Sequence, residues 1–169
     1  MGLQTGLQLA VDTDFTKTDG LASVSAEVPA WTYGIQWSDG TGANQADRIY
    51  QGRRTLTASS TEDLDLAGGL TDSYGVAITF ARIKLIVVKA AAANTNNVVI
   101  GAASSNQFVG PFGAATHTMA VKPAGLFIAV APDAVGWAVT AGTGDLLKVA
   151  NSGAGTPVTY DLFLIGASA

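Results

Sequence analysis

The chain has 169 residues, 13% of them charged, with a net charge of −4 and a hydrophobic fraction of 48%. That length fits one domain, and the hydrophobic fraction excludes disorder, which needs few apolar residues and high net charge. The acidic balance, with no basic cluster larger than Arg53-Arg54, excludes an evident free-standing nucleic-acid binder.

Short alternating runs separated by Gly, Pro, Asn and Asp clusters follow one another along the chain, which is the pattern of an all-β protein. Residues 1–20 read as an N-terminal arm or acidic loop, and residues 21–169 as the folded domain. Leu21 to Val28 alternates Leu21, Ser23, Ser25 and Glu27 with Ala22, Val24, Ala26 and Val28. Trp31 to Trp37 places Trp31, Tyr33, Ile35 and Trp37 on one side of a strand, and Ser38 to Gly42 turns. Arg48 to Ser60 reads as a long strand, Glu62 to Leu66 as a short one, and Ala67 to Gly75 as a loop around Gly68-Gly69. Val76 to Lys89 is the strongest strand, apolar on both faces at Leu85 to Val88, as a buried central strand is. Strands follow at Val98 to Ala102, His117 to Lys122, Leu126 to Ala131, Gly136 to Thr140, Asp145 to Asn151 and Pro157 to Ile165. Between the first and second of these, Gly101 to Gly113 forms a mixed Gly/Pro loop holding Phe108 and Phe112. Nine to eleven strands in one domain predict a β-sandwich, jelly-roll-like.

The chemistry of catalysis is thin. There is no Cys and a single His, His117, within a predicted strand. A serine triad needs a base of that kind with an acid to orient it, and the Gly-x-Ser-x-Gly elbow is absent. Asp12, Asp14 and Asp19 superficially resemble a calcium loop, but Lys17 and Ser23 stand where an EF-hand needs Gly and Glu. Glu62, Asp63 and Asp65 read as a solvated turn rather than a paired-carboxylate site. No enzyme activity, cofactor or metal is therefore expected. No segment reaches about 18 apolar residues, so no membrane span is expected, and Met1 to Ala10 lacks the basic and apolar regions of a secretory signal.

Composition points instead to contact with other proteins. Ala, Thr and Gly supply 67 residues, and interface cores are depleted in charge in the same way. Residues 1–72 carry −6 and residues 73–169 carry +2, a division that suits complementary contacts between subunits. The alternative to the first is a rigid extracellular β-domain with a Thr/Gly-rich face, and the alternative to the second is that the acids simply sit in N-terminal loops. The aromatic candidates for an interface are Trp31, Tyr33, Trp37, Phe108, Phe112 and Trp137. Core packing is the competing role for the first three.

Several strings have a familiar style. Trp37-Ser38-Asp39-Gly40-Thr41-Gly42-Ala43-Asn44-Gln45-Ala46-Asp47, then Arg54-Thr55-Leu56 and Glu62-Asp63-Leu64-Asp65-Leu66, resemble small β-rich virion proteins of tailed bacteriophages. So do Thr95-Asn96-Asn97-Val98-Val99-Ile100-Gly101, Leu147 to Gly153 and Val158 to Asp161. The resemblance implies a capsid decoration, or cement, protein on the virion surface. Its partner would be the major capsid protein, in a homo-oligomer with a trimer favoured, without nucleic acid or membrane. A head spike or fibre, a tail-tube or neck subunit, and a carbohydrate-binding module using Trp31, Tyr33 and Trp37 are the alternatives.

Overall fold

The computed structural model describes residues 2–169, with side chains at all of these but 19, 22–24 and 26–28. Met1 and the side-chain alternation expected along 21–28 therefore lie, wholly or in part, outside the described residues. Fourteen strands run in chain order: β1 (Thr5–Asp19), β2 (Ala22–Asp39), β3 (Gln45–Ala46), β4 (Arg48–Leu56), β5 (Thr61–Asp65), β6 (Ala67–Thr71) and β7 (Ala77–Thr79), then β8 (Arg82–Ala90), β9 (Val98–Gly101), β10 (Thr118–Val121), β11 (Leu126–Val130), β12 (Trp137–Ala138), β13 (Leu146–Asn151) and β14 (Val158–Ala167). Gly110–Phe112 forms one 3₁₀ turn.

The body is a β-sandwich. One sheet has the order β10-β9-β13-β5 and the other β11-β8-β14-β4, with β12 also pairing β8. Four of the antiparallel pairs are nested in the sequence: β4 with β14, β5 with β13, β8 with β11 and β9 with β10. The core lies between the sheets. Leu64, Ile100, Leu147 and Val149 from the first meet Ile86, Val88, Leu162 and Leu164 from the second. The alternation along β13 and β14 produces this directly, since residues two apart share a face. Leu147 and Val149 point inward while Leu146, Lys148 and Ala150 are half-buried on the other face.

Three sequence expectations are corrected here. Asp12 to Gly20 is not a loop, because all but its last residue belongs to the 15-residue strand β1. Ala67 to Gly75 is not wholly a loop either, because Ala67–Thr71 pairs with β7 as a small separate hairpin. The long strand expected at Val76 to Lys89 is two strands, broken at Phe80 and Ala81. The break has a cause in packing: Phe80 turns into the core, and Gly166 lies against it. A Cβ on Gly166 would collide with the Arg82 carbonyl and come within 2.6 Å of the Phe80 ring. The β14–β8 register shifts at the same point, between Ile165 and Gly166.

β1 and β2 form a two-stranded ribbon whose further strand pairing, among the described residues, is with β3, a parallel contact at Ser38 and Asp39. Gly20, at φ +59°, supplies the left-handed residue of its two-residue turn. A bulge falls between Val11 and Thr13, opposite Pro29, which has no N–H to give to a ladder. Fifteen residues at about 3.3 Å each make an arm about 50 Å long.

The arm is fixed at its root. Trp37, 1% exposed, packs with Leu3, Leu7 and Ile35 onto Leu85 and Ile165 of the β11-β8-β14-β4 sheet. Beside it the fully buried Lys84 sends its Nζ into the loop that follows β2. It donates to the carbonyls of Thr41 (3.3 Å), Gln45 (2.8 Å) and Gly42. Burial, with Arg82 nearby, pushes the Lys84 pKa below the usual lysine value, against the pull of Asp133 and Asp47. Replacing Lys84 by Met keeps the stem and removes all three donors. Taking donors from these half-buried carbonyls, of which Gly42 keeps the Gln45 N–H, costs about 1 kcal/mol, so Lys84→Met is expected to lower the denaturation midpoint in urea correspondingly. An unchanged midpoint would show that the cage does not hold the root.

Candidate interaction surface

The arm has two unlike faces. Because side chains alternate along a strand, the cross-strand pairs Leu7–Ile35, Leu9–Tyr33 and Val11–Trp31 stand on one face with Thr5–Trp37. The opposite face carries Gly6, Gln8 and Ala10 against Gln36, Gly34 and Thr32, all small or polar. The apolar face is covered in a gradient. Trp37 is buried, Leu7, Leu9, Tyr33 and Ile35 are half-buried, and Val11 and Trp31 are exposed at 56% and 57%. Trp31 stacks on Tyr33 with ring centroids 6.4 Å apart, which fixes both rings on that face. Further out, Phe15 and Leu21 are also exposed.

The second element of the surface is the outer face of the β11-β8-β14-β4 sheet. Its strand registers set three rows across the sheet. Val130, Leu85 and Ile165 form the row beneath the arm root. Ile128, Val87 and Phe163 form the next, and all three are half-buried. Leu126, Lys89, Asp161 and Arg53 form the third, where Leu126 is 54% exposed. Together the second and third rows floor a groove of about 720 Å³ that reaches Ser73 in the β6–β7 turn. Its rim is polar. Arg53 holds Asp161 in a two-point ion pair, Nε to Oδ1 at 2.7 Å and Nη2 to Oδ2 at 3.0 Å. The Arg53 guanidinium holds the Asp161 carboxyl below the usual range. Lys89 has no ion pair among the described residues.

A buried-edge network joins the two sheets elsewhere. Tyr160 donates to Glu62 Oε1 at 2.6 Å, and Arg54 Nε donates to Glu62 Oε2 at 2.7 Å and its Nη1 to the Tyr50 hydroxyl at 3.1 Å. Every polar group there has a protein partner, so it ties β4 and β14 to β5. Burial, then the hydrogen bond to Glu62, raises the Tyr160 pKa well above the usual tyrosine value. An ordinary tyrosine in the unfolded chain ionises near pH 10, while the folded one keeps its proton. The stability from this group is whole below pH 10 and declines as pH rises further. Tyr160→Phe is thus expected to be less stable at pH 8, and the gap to wild type should narrow as pH passes about 10 in denaturant titrations. A gap independent of pH would contradict this assignment.

The other sequence candidates are scattered. Phe108, expected at an interface, is 2% exposed and belongs to the core: its backbone N–H bonds to the Leu146 carbonyl and its ring turns inward. Trp37 is likewise internal, beneath the arm root. Phe112 and Trp137 are half-buried against the core, and Phe112 stacks on Phe127 at 6.4 Å. Only Trp31 and Tyr33 of the six share an open face. His117 is exposed, with Nδ1 2.8 Å from the Phe112 carbonyl. No hydroxyl or carboxylate hydrogen-bonds to it among the described residues, so it has no triad geometry there. No group of three His, Asp or Glu among the described residues is placed to hold a metal, and Asp14 instead accepts a hydrogen bond from Thr16.

The sequence reading missed the arm's first strand and the groove. The strand left a signal, since Thr5, Leu7, Leu9 and Val11 alternate cleanly with Gly6, Gln8, Ala10 and Asp12. The groove left little, because Val87 and Phe163 look the same in sequence whether their face is covered or open.

Compared with protein-family models, curated proteins and solved structures, the chain matches none.

Proposed function

We propose that this chain is a non-catalytic structural subunit of a protein assembly, and specifically a capsid decoration protein of a tailed bacteriophage. One observation carries the structural role: a rigidly rooted two-stranded arm holds an apolar stripe beyond the body that could cover it. An isolated ribbon of two strands is marginal in water, and exposed apolar stripes mark contact sites. The virion setting rests on the resemblance of the strings around Trp37 to Asp47 and Leu147 to Gly153. The nested strand pairing supports a jelly roll, since rolling one long eight-stranded hairpin into two sheets yields that order. In this role the protein works mechanically. Several moderate contacts to neighbouring major capsid subunits act together, each raising the effective concentration of the next.

Adding the purified chain to empty shells of the same virus's major capsid protein tests the reading. Saturable binding and a higher temperature of shell disruption are expected. Binding to isolated tail tubes but not to shells would replace decoration with the tail alternative, and binding to neither would remove the virion role. The exposed Trp31–Tyr33 stack favours one second reading, a carbohydrate platform. That reading requires quenching of tryptophan fluorescence by added oligosaccharides.

A further inference from the structure

We infer that the arm of one copy seats its apolar stripe in the outer-face groove of a second copy. The first argument is reach. The roughly 130 residues of the body form a globule about 35 Å across, whereas the arm is about 50 Å long. Its own body covers the root and leaves Val11 and Trp31 open.

The second argument is continuity. The arm root already demonstrates the mode of contact, because Leu7, Ile35 and Trp37 pack on the outer face of the β11-β8-β14-β4 sheet. On that same face half-buried Val87 and Phe163, which pack against the root cluster, lead on to exposed Leu126 and extend the apolar floor outward. The outer stripe and the outer floor are thus the continuations of a contact the chain makes with itself at the root.

The third argument is charge. Residues 5–39 hold five acids (Asp12, Asp14, Asp19, Glu27, Asp39) and one base, Lys17. The remaining residues hold eight of each, so the arm carries the whole net charge of −4. Two arms repel one another, which disfavours arm-to-arm pairing. A neutral body with Lys89 at the groove and Lys122 exposed near Leu126 attracts an arm.

Size sets the architecture. Beyond the covered root, the nine residues from 11 to 19 make a ribbon about 30 Å long and about 10 Å wide, one face of which presents about 300 Å². A single seated arm then buries about 600 Å² over both partners, short of the roughly 1,000 Å² a specific interface needs. Closure, by reciprocal exchange or in a ring, gives each copy two such contacts and brings the total to about 1,200 Å².

This inference does not depend on the virion reading, because it concerns the isolated chain, whereas shell binding tests the other. Sedimentation equilibrium over about 1–200 μM is the experiment, with circular dichroism to verify that each variant folds. Wild type is expected to associate into a closed oligomer. Trp31→Ser, whose side chain is exposed, and Leu126→Glu, at the groove, are each expected to raise the dissociation constant at least tenfold. Lys89→Glu should weaken association, because it reverses the charge the groove presents to the acidic arm. A monomer at every concentration, or folded variants that assemble like wild type, would overturn the inference. So would Trp31→Ser weakening association while the groove variants do not, since the stripe would then seat elsewhere.

Discussion

The position of the arm depends on one buried ammonium group. Lys84 is wholly enclosed, and no carboxylate forms an ion pair with it among the described residues. Three backbone carbonyls of the loop after β2 receive its three N–H groups instead. A buried charge is tolerable only when its donors are all met, and three carbonyls converging on one Nζ meet them. Those carbonyls belong to residues 41, 42 and 45, between the arm and β3, so the loop cannot move without exposing either the cation or the carbonyls to a worse environment. The Arg guanidinium, with five donors in a planar fork, does not match a three-carbonyl cup.

From that anchor the ribbon's geometry follows. Trp37 fills the space over Leu85 and Ile165, and the pairing Thr5–Trp37 brings the first residues of the chain back to the same place. Leu3 closes the root by donating its N–H to Asp39 Oδ1 at 3.1 Å. With both strands pinned at one end, alternation alone decides which side chains face the sheet. The apolar stripe therefore leaves the body already oriented. A flexible tether would present the same residues in every direction and lose more entropy on binding.

The sandwich was legible in the sequence because its signals are local. Val158, Tyr160, Leu162 and Leu164 alternate with Thr159, Asp161, Phe163 and Ile165, and β14 is built on that alternation. The turns at Asn94 to Asn97 and Ala141 to Gly144 lie where their Asn and Gly residues put them. Legibility failed where tertiary context overrides local chemistry. Asp12, Asp14 and Lys17 look like a solvated loop, yet in a ribbon open to solvent charged residues can stand along a strand without desolvation. Phe80 and Ala81 interrupt a run with unbroken strand character, because the interruption is set by Gly166, some eighty-five residues later. Phe108 lies in a Gly/Pro loop, and only the sandwich's edge makes that loop turn its ring inward. The three aromatics at 31, 33 and 37 share a face as the period requires, but period cannot distinguish a covered face from an open one.

That last point explains the chain's unusual composition. A body with eight acids and eight bases among its last 130 residues is neutral and sparsely hydrated, a poor design for a free globule in water. The acidic arm offsets this by carrying all the net charge on a projection. The passage from buried Trp37 through half-buried Tyr33 to exposed Trp31 runs outward along one ribbon face. It is continuous apolar chemistry with discontinuous cover, since the chain's own sheet covers only the inner part. A stripe that needed only internal packing would end where its cover ends. This one extends past it, stiffened by the Trp31–Tyr33 stack, and the groove on the same sheet presents the matching surface without its cover. The simplest physical account of both is that each is completed by the other from a neighbouring copy.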